Sequence, residues 1–362
     1  MKIEKRRKPN FVIASAVGLC VMGIGLYTLS TLAAGPVVNY EAEASNEVPE
    51  ANVIDDPTAS GSKAVRFGTD PTTIPDNSSP YRGKGIYNDG RLAAEGRAEA
   101  ISSTPIAIWV GDWSNDPGGS VNGDVTAAES RGEIAAFVLY NIPGRDCGQY
   151  SAGGAGDSGA YRSWIDQIVN GIGQREAIIV LEPDALPQLE CLNEGAKATR
   201  IGDMAYAVDA FTTKTKAYVY IDAGNASWKT PAEAAGLLQQ VGINKVRGFS
   251  LNVSNFDFTA DVAEYGDAVA ALVGDKHYLI DTSRNGKGPT ADRQWCNPPG
   301  RGLGVKPTTT PSLGKYVDAY LWIKTPGQSD GTCNGGPAAG QWFESYAQGL
   351  IANAVYDLPE QQ

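Results

Sequence analysis

The sequence predicts an α/β protein built around a parallel sheet of seven strands. Short apolar runs rich in β-branched and aromatic residues recur along the chain from residue 105 onward. Each run is nearly continuous rather than alternating, which is typical of strands that are buried on both faces. Helix-like segments separate several of these runs, and an alternation of strands and helices favours a parallel α/β fold.

The predicted strands share this apolar character and cover residues 105–110, 134–140, 177–181, 217–221, 248–253, 278–280 and 319–323. The clearest predicted helices lie between them, at residues 160–171, 204–213 and 231–238. A count of seven strands is one short of the regular eight-stranded α/β barrel.

Polar and aromatic side chains gather just after the predicted strands. Aspartates follow several of them, and active sites of α/β barrels lie at this C-terminal edge of the strands. Trp109, Trp228 and Trp295 also lie at or just after strand ends, where their flat faces suit the C–H faces of pyranose rings. The sequence therefore predicts a sugar-binding cleft at this edge.

The charge and the residue inventory exclude several classes of protein. Among 362 residues the net charge is -11, so the basic footprint that nucleic-acid binding requires is missing. The single histidine, His277, excludes a three-histidine zinc site. The sequence also lacks the C-x-x-C spacing that is typical of structural metal sites. We therefore expect no metal and no cofactor. Carboxyl groups therefore remain as the candidate acid–base groups, and hydrolysis of a glycosidic bond typically uses a pair of them.

One short motif points elsewhere. Residues 327–331 (GQSDG) match the G-x-S-x-G nucleophile elbow of serine hydrolases. That fold needs its histidine downstream of the serine, whereas His277 lies upstream. The sequence therefore argues against a serine hydrolase.

The N-terminal region carries the pattern of an exported protein. Basic residues precede an uncharged stretch at residues 11–34. Residues 1–34 are therefore either a signal peptide, cleaved after Ala33, or a membrane anchor, because the stretch is long enough to span a bilayer. The protein is expected to be secreted or extracellular, with membrane contact only through residues 11–34 if they are retained. Four cysteines downstream favour disulfides, and they permit three pairings.

Residues 35–78 form an acidic segment without helical periodicity. Within it, residues 40–44 (YEAEA) and 59–65 (ASGSKAV) resemble the opening strands of a carbohydrate-binding β-sandwich module. The rest of such a module is missing. We therefore interpret this segment as a linker with short strands, and a remnant of a carbohydrate-binding module is the alternative.

Longer motifs resemble glycoside hydrolase family 6, and the resemblance spans residues 79–358. They are residues 139–147 (LYNIPGRDC), 180–184 (VLEPD), 220–224 (YIDAG), 280–286 (IDTSRNG), 295–298 (WCNP) and 322–331 (WIKTPGQSDG). The resemblance implies a distorted seven-stranded α/β barrel with its cleft at the C-terminal ends of the strands. It also implies hydrolysis of β-1,4-glucan with inversion.

The resemblance implies a role for each matching residue. Asp184 matches the general acid, Asp146 matches the carboxylate that keeps this acid protonated, and Asp330 matches the residue often proposed as the base. Matching residues that bind sugar or organise the site are Tyr140, Arg145, Asp222, Lys324, Trp109, Trp228 and Trp295. The implied disulfides are Cys147–Cys191 and Cys296–Cys333.

Three further residues complete the candidate substrate-binding set. Asn255 follows the fifth strand. Asn225 and Gln328 stand where the family usually has histidine and glutamate. Loss of a charge beside Asp330 should ease ionisation of that carboxyl.

The compact domain shows no long insertion that would cover the cleft, which favours internal cleavage of the glucan chain. We therefore expect a monomeric endo-β-1,4-glucanase. The alternatives are an exo-acting cellobiohydrolase of the same family and a surface glucan-binding protein with little catalysis.

Overall fold

The computed structural model describes residues 51–55, 63–67 and 78–358, which belong to two compact units, residues 1–68 and 69–362. In the first unit, β1 (Ala51–Asp55) and β2 (Lys63–Phe67) form an antiparallel ladder with Ala51 opposite Phe67. The expected export segment and the 40–44 motif lie outside the described residues, as does part of the 59–65 motif. No helix among the described residues is both long and apolar enough to cross a bilayer.

The second unit contains the predicted seven-stranded sheet, in which every ladder is parallel. Its strands are β4 (Ile108–Gly111), β6 (Ala136–Tyr140), β7 (Ile178–Leu181), β8 (Tyr218–Asp222), β9 (Gly248–Leu251), β10 (His277–Asp281) and β11 (Val317–Leu321). They follow the order β11-β10-β9-β8-β7-β6-β4. β3 (Gly85–Ile86) and β5 (Glu133–Ile134) pair separately. The seven predicted strands are thus confirmed, with ends shifted by a few residues.

The helices connect successive strands and flank the sheet. They are α1 (Arg91–Ala94), α2 (Glu99–Ser102), α3 (Pro117–Ser130), α4 (Ser158–Ile172), α5 (Glu194–Lys214), α6 (Pro231–Gln240), α7 (Thr259–Leu272) and α8 (Glu344–Ala352). The predicted helices at 160–171, 204–213 and 231–238 are the cores of α4, α5 and α6. The polar first half of α5 and the glycines in α3 hide helical periodicity, so these segments were not apparent from sequence.

The core is two-layered because side chains on one strand alternate between its faces. On β7, Ile178 and Val180 point into the barrel, whereas Ile179 and Leu181 pack against the outer helices. All four side chains are buried. This arrangement explains the continuous apolar runs, since both faces of each strand need apolar residues.

The barrel is distorted at the seam between its edge strands β4 and β11. The described residues form no ladder between these strands. Instead, the backbone N–H of Ala107 donates to the carbonyl of Trp322 at 2.9 Å, and the indole Nε1 of Trp109 donates to the carbonyl of Ile323 at 2.8 Å. The seam therefore opens toward the C-terminal ends of the strands, where the side chain of Trp109 replaces a backbone pairing.

A buried polar network fills the opposite, N-terminal end of the barrel. Asp318 of β11 is fully buried and accepts hydrogen bonds from Tyr220 at 2.5 Å and from Arg247 at 2.7 and 2.8 Å. His277 Nδ1 lies 2.9 Å from the same carboxylate. Tyr81 extends the network through its hydroxyl, 2.6 Å from that of Tyr220. The histidine therefore lies at the end of the barrel away from the expected cleft.

Candidate active site

A cleft of about 930 Å³ crosses the C-terminal ends of the strands. Its lining includes twelve of the thirteen residues expected to catalyse or bind substrate: Trp109, Tyr140, Arg145, Asp146, Asp184, Asn225, Trp228, Asn255, Trp295, Lys324, Gln328 and Asp330. Asp222 is the exception. The structure thus brings together residues that are spread over more than two hundred positions of the sequence, because parallel strands present their ends at one edge.

Asp184 lies half-buried on the floor of this cleft, just beyond β7. Its backbone is in the left-handed region at φ 69°, as is that of Glu182 at φ 50°. Non-glycine residues in this region cost roughly 1–3 kcal/mol each and cluster at functional sites. No residue of the described ranges donates a hydrogen bond to the Asp184 carboxylate oxygens. Burial, together with the charges of Asp222 and Asp146, raises the pKa of Asp184 well above its ordinary value.

Asp222 was expected to bind substrate or to organise the site, and the structure places it behind Asp184 with 1% of its surface exposed, which favours the second role. It accepts hydrogen bonds from the backbone N–H groups of Asp184 at 2.9 Å and Gly224 at 3.2 Å. Burial raises its own pKa to about 7. Asp222 is therefore shielded from a sugar in the cleft. It fixes the backbone of Asp184 through a hydrogen bond and places a carboxylate next to the Asp184 carboxyl.

Asp146 stands on the loop after β6, also with a left-handed backbone at φ 55°. One of its oxygens, Oδ2, accepts the Ser151 N–H at 2.7 Å, and Oδ1 accepts the Gln188 side-chain amide at 3.3 Å. The Arg145 Nε donates to the Ser151 carbonyl at 2.8 Å, which fixes the same loop. The carboxylate of Asp146 is thus half-buried, directed at the cleft and free of a salt bridge within the described residues.

Asp330 is buried and bound to two cations. Arg284 Nη1 lies 2.8 Å from its Oδ2, and Lys324 Nζ lies 3.2 Å from its Oδ1. The Asn297 N–H also donates to Oδ2 at 3.0 Å. Burial opposes ionisation, but Arg284 and Lys324 outweigh it and hold the pKa of Asp330 below its ordinary value. Asp330 is therefore a permanently ionised carboxylate at neutral pH.

The sequence placed Glu182 and Asp281 just after predicted strands but gave neither a role, and the structure shows that both support these carboxylates. Asp281, at the end of β10, accepts backbone N–H groups from Ser254, Ser283 and Lys324 at 2.9–3.0 Å. It thus ties together the loops after β9, β10 and β11. Fully buried Glu182 similarly accepts the Asn141 N–H at 2.9 Å and so fixes the loop that leads to Asp146. Both residues lie within quoted motifs, at residues 180–184 and 280–286, and that position was the available signal.

An aromatic floor lies under one end of the cleft. The rings of Trp109 and Tyr140 meet edge to face, with centroids 5.3 Å apart. The Arg145 guanidinium lies 4.9 Å from the Tyr140 ring and is held by Asp112 at 2.8 Å and by the Tyr140 carbonyl at 3.0 Å. Arg145 thus packs against the Tyr140 ring. Asp112, which follows the first predicted strand and was given no role from sequence, holds this arginine in place.

Polar residues and two more tryptophans form the remaining walls. Trp228 and Trp295 each expose more than a third of their surface. The Asn225 side chain accepts the Ser227 N–H at 3.0 Å and stabilises the loop that carries Trp228. Asn255 and Gln328 are half-buried in the lining. These walls offer stacking faces and amide groups, the two kinds of contact that a neutral sugar chain can use.

Both expected disulfides are present. Cys147–Cys191 joins the loops after β6 and β7, and Cys296–Cys333 joins the segments on either side of β11. Cys147 directly follows Asp146, and Cys333 lies three residues after Asp330. Each bridge therefore anchors a loop that bears a site carboxylate.

A distorted parallel barrel whose cleft holds a carboxyl with a raised pKa, a carboxyl with a lowered pKa and exposed tryptophans is typical of a glycosidase of the carboxylic-acid type. The family model described as Glycosyl hydrolases family 6 matches residues 83–354. The chain belongs to this family of glycoside hydrolases.

Curated relatives agree with this assignment. The chain is 44% identical over 259 residues to Endoglucanase A of Cellulomonas fimi, a match covering 71% of this chain and 56% of that protein. It is 39% identical over 311 residues to Endoglucanase 1 of Streptomyces halstedii, covering 82% of this chain and 94% of that protein. The chain therefore spans little more than half the length of the first of these relatives.

A solved structure matches the fold. The endoglucanase Cel6 from Mycobacterium tuberculosis, in complex with methyl-cellobiosyl-4-deoxy-4-thio-β-D-cellobioside, superposes with a TM-score of 0.73 at 42% sequence identity. The match covers 76% of this chain and 99% of that one. The expected fold class is confirmed.

Proposed function

We propose that this protein is an inverting endo-β-1,4-glucanase that hydrolyses cellulose and related glucans. The observation that carries the proposal is the opposite displacement of two carboxyl pKa values in one cleft. Burial and neighbouring carboxylates raise the pKa of Asp184, whereas two cations lower that of Asp330 despite its burial. Environments that push two carboxyl pKa values apart assign an acid and an ionised partner.

The proposed reaction uses each carboxyl in one role. Asp184 gives its proton to the glycosidic oxygen as the bond to the anomeric carbon breaks. A water attacks that carbon from the opposite face and passes its proton toward Asp146, the carboxylate without a bound cation. The product therefore has the inverted anomeric configuration.

Asp330 has a different proposed part. Arg284 and Lys324 occupy both of its oxygens, and its lowered pKa makes it a weak proton acceptor. With Arg284 and Lys324 it forms a cluster that carries a net positive charge, so its proposed part is to hold these two cations in place beside the cleft. The role expected from the family resemblance, a general base, is thus less well supported by this geometry than a positioning one.

The aromatic residues supply the proposed glucan contacts. Tyr140, whose ring packs against Arg145, is proposed to lie beneath the sugar at the cleaved bond. Trp109 lies toward the barrel seam, and Trp228 lies beyond the end of β8 on the other side of the cleft. Sugars stacked on both tryptophans would place the intervening bond near Asp184. The relatives named endoglucanase support the same substrate class for this chain.

Two measurements test the proposal. Purified protein should lower the viscosity of a soluble substituted cellulose rapidly relative to the reducing ends released, as internal cleavage requires. Proton NMR of early cellotetraose products should show the α anomer before mutarotation. Release of reducing ends with little loss of viscosity would favour the exo-acting cellobiohydrolase alternative, and an initial β anomer would contradict inversion.

A weakly catalytic glucan-binding protein remains the alternative from another class. It is motivated by the occurrence of Asn225 and Gln328 where the family usually has histidine and glutamate. Both residues line the cleft without contacting the Asp184 carboxylate. Turnover by purified protein that is abolished in Asp184→Ala would dismiss this alternative. Retained glucan binding without turnover would establish it.

We further propose that the protein is exported and acts as a monomer. The basic residues before the uncharged stretch at residues 11–34 and the two disulfides support export. Fractionation of the producing cells, with N-terminal sequencing of the product, distinguishes a cleaved signal peptide from a retained anchor. Light scattering during size-exclusion chromatography tests the monomer.

A further inference from the structure

An arginine occupies the buried face of helix α5. The buried residues of this helix recur at helical spacing and form one stripe that packs into the core. The stripe includes Arg200, Met204, Ala207, Val208 and Phe211. Arg200 exposes only 3% of its surface. Arginine is almost never fully buried unless it is paired, so its place on an apolar stripe points to specific partners.

The partners of Arg200 are backbone carbonyls of two loops. Its Nη2 donates to the carbonyl of Pro143 at 3.0 Å and to that of Gly144 at 2.8 Å. Its Nη1 donates to the carbonyl of Ala185 at 3.5 Å. One side chain therefore binds the loop after β6 and the loop after β7.

These carbonyls lie next to the two carboxyls with proposed proton-transfer roles. Gly144 is two residues before Asp146, and Ala185 directly follows Asp184. Arg200 thus links the backbone beside one carboxyl to the backbone beside the other. It does so from a helix outside the barrel and without a hydrogen bond to either carboxyl group.

A buried acid holds the remaining part of the first loop. Glu182 accepts the N–H of Asn141 at 2.9 Å and that of Ile142 at 2.9 Å. The backbone at residues 141–142 is thus fixed through its N–H groups, and the backbone at residues 143–144 is fixed by Arg200 through its carbonyls. The segment that leads from β6 to the first carboxyl therefore has little freedom to shift.

Stability alone does not account for this arginine. Within the described residues its guanidinium donates only to carbonyl oxygens, and its Nε is buried without a hydrogen-bond partner. Burial of a charge without a paired counter-charge costs free energy, and burial lowers the pKa of Arg200 for the same reason. A planar guanidinium can nevertheless hold several carbonyls in fixed directions, which an apolar side chain cannot.

We propose that Arg200 is a positioning residue that sets the Asp146 loop against the backbone that follows Asp184. The proposal rests on the proposed function, because it takes Asp146 as the acceptor of the proton of the attacking water. In inverting glycosidases the two carboxyl groups are about 6.5–9.5 Å apart, which leaves room for that water. A displacement of about 1 Å can reduce a rate by about 100-fold, so the separation must be held firmly.

The first test measures kcat and KM of Arg200→Lys on cellotetraose. Lysine keeps the charge but replaces the planar fork with one ammonium, which cannot reproduce the bonds to both loops. We expect kcat to fall by about 10- to 100-fold. KM should stay near its wild-type value, because Trp109 and Trp228 lie on other elements. An unchanged kcat well below the Tm of the variant would overturn the proposal.

The second test is a double-mutant cycle with Asp146→Asn, read on an aryl cellotrioside with an acidic phenol leaving group. If Arg200 acts through Asp146, Arg200→Lys should lower kcat when Asp146 is present. In the Asp146→Asn background the further loss should not exceed about 2-fold, the usual error of additivity. Equal losses in both backgrounds would show that Arg200 acts independently of Asp146, and they would overturn the proposal.

Arg247→Lys is the matched control. Arg247 pairs with Asp318 at the end of the barrel away from the cleft. The same substitution there should lower the free energy of unfolding and leave the kcat of the folded protein unchanged. A loss of kcat in Arg247→Lys equal to that in Arg200→Lys would assign both effects to general loosening of the barrel and would overturn the proposal.

Arg200→Gln gives the same test if Arg200→Lys does not fold. Its amide can donate to one loop only, so we expect the same loss of kcat and the same cycle with Asp146→Asn. Failure of both variants to fold would assign Arg200 a purely structural role and would also overturn the proposal. Absence of turnover on every glucan by wild type would instead overturn the proposed function, whereas normal kcat in both variants would overturn the role of Arg200 alone.

Discussion

The backbone N–H of Asp184 donates a hydrogen bond to Oδ2 of Asp222 over 2.9 Å. This bond fixes the main chain of the proposed acid against a second, fully buried carboxyl. Asp222 is thereby held close enough for its charge to raise the pKa of Asp184, after the effect of burial itself. Burial first, and the charge of Asp222 second, therefore favour the protonated form of the proposed acid.

Asp184→Ala should distinguish substrates by their leaving groups. Activity on cello-oligosaccharides should fall by roughly two to four orders of magnitude, the usual size of a general-acid contribution. A glycoside with an acidic phenol leaving group needs little protonation, so the variant should lose far less on it. Steady-state kinetics on both substrates checks this. Equal losses, with the circular dichroism spectrum intact, would contradict the assignment of Asp184 as the acid.

Asp222→Asn should shift the alkaline limb of the pH–rate profile. The active form carries a protonated Asp184, so activity is lost as the pH rises through the pKa of that carboxyl. Removal of the Asp222 charge lowers this pKa, because a nearby negative charge had raised it. The alkaline limb of kcat/KM should therefore move to lower pH. A limb that stays in place would show that the charge of Asp222 does not raise the pKa of Asp184.

Asp330→Asn should destabilise the fold in a pH-dependent manner. It leaves Arg284 and Lys324 buried without their counter-charge, which typically costs about 3–5 kcal/mol in the free energy of unfolding. The folded pKa of Asp330 is lowered, so its stabilisation is complete above the unfolded value of about 4 and is lost as pH falls through the folded value. Urea unfolding at neutral and at acidic pH measures this difference.

The stability deficit of Asp330→Asn should therefore shrink in acid, and a deficit independent of pH would contradict the ion-pair account. Asp146→Asn is the matched control. Asp146 is half-buried and has no salt bridge within the described residues. Its replacement should change the free energy of unfolding much less while reducing activity on all substrates, because it removes the group proposed to accept the proton of the attacking water.

Each disulfide should stabilise the fold substantially. The bridges close loops with sequence separations of 44 and 37 residues. In the chain-entropy model such loops contribute roughly 3–4 kcal/mol each. The double variants Cys147→Ser/Cys191→Ser and Cys296→Ser/Cys333→Ser should lower the free energy of unfolding by that amount in guanidinium titrations. A Cys147–Cys333 peptide in non-reducing peptide maps would contradict the observed pairing.

Asp318→Asn should reduce stability without impairing catalysis. The substitution removes the buried charge that Arg247 and His277 contact, at the end of the barrel away from the cleft. The free energy of unfolding should fall by about 3–5 kcal/mol, as for other broken buried ion pairs. The kcat of the folded variant well below its Tm should match wild type. A loss of kcat at that temperature would show that the network reaches the active site.

The sequence predicted the architecture well because strands buried on both faces require continuous apolar runs. All seven runs became strands, with β7 extending over Ile178–Leu181 inside the predicted 177–181. Helices were harder to place because their outer faces are solvated. The sequence also located the site, since residues that follow parallel strands must meet at one edge.

The roles of individual carboxylates depended on contacts between distant residues. Asp222 and Asp330 look alike in sequence, each at or beyond the end of a predicted strand. Burial without a cation raises the pKa of Asp222 to about 7, whereas Arg284 and Lys324, despite that same burial, lower the pKa of Asp330. The Arg284–Asp330 ion pair has no short-range sequence signal, because the two residues lie 46 positions apart and meet only in the folded barrel.

The sequence by itself thus determined the fold class, the position of the cleft and the residues that could act there, because local pattern and strand order fix which residues reach one edge. The tertiary structure decided which carboxyl stays protonated, which stays ionised, and that Arg200 reaches the backbone of two loops that bear site carboxyls. These properties arise from burial and from distances between loops that are far apart in the chain. Electrostatic energies and hydrogen bonds depend on those distances, and no local pattern encodes them.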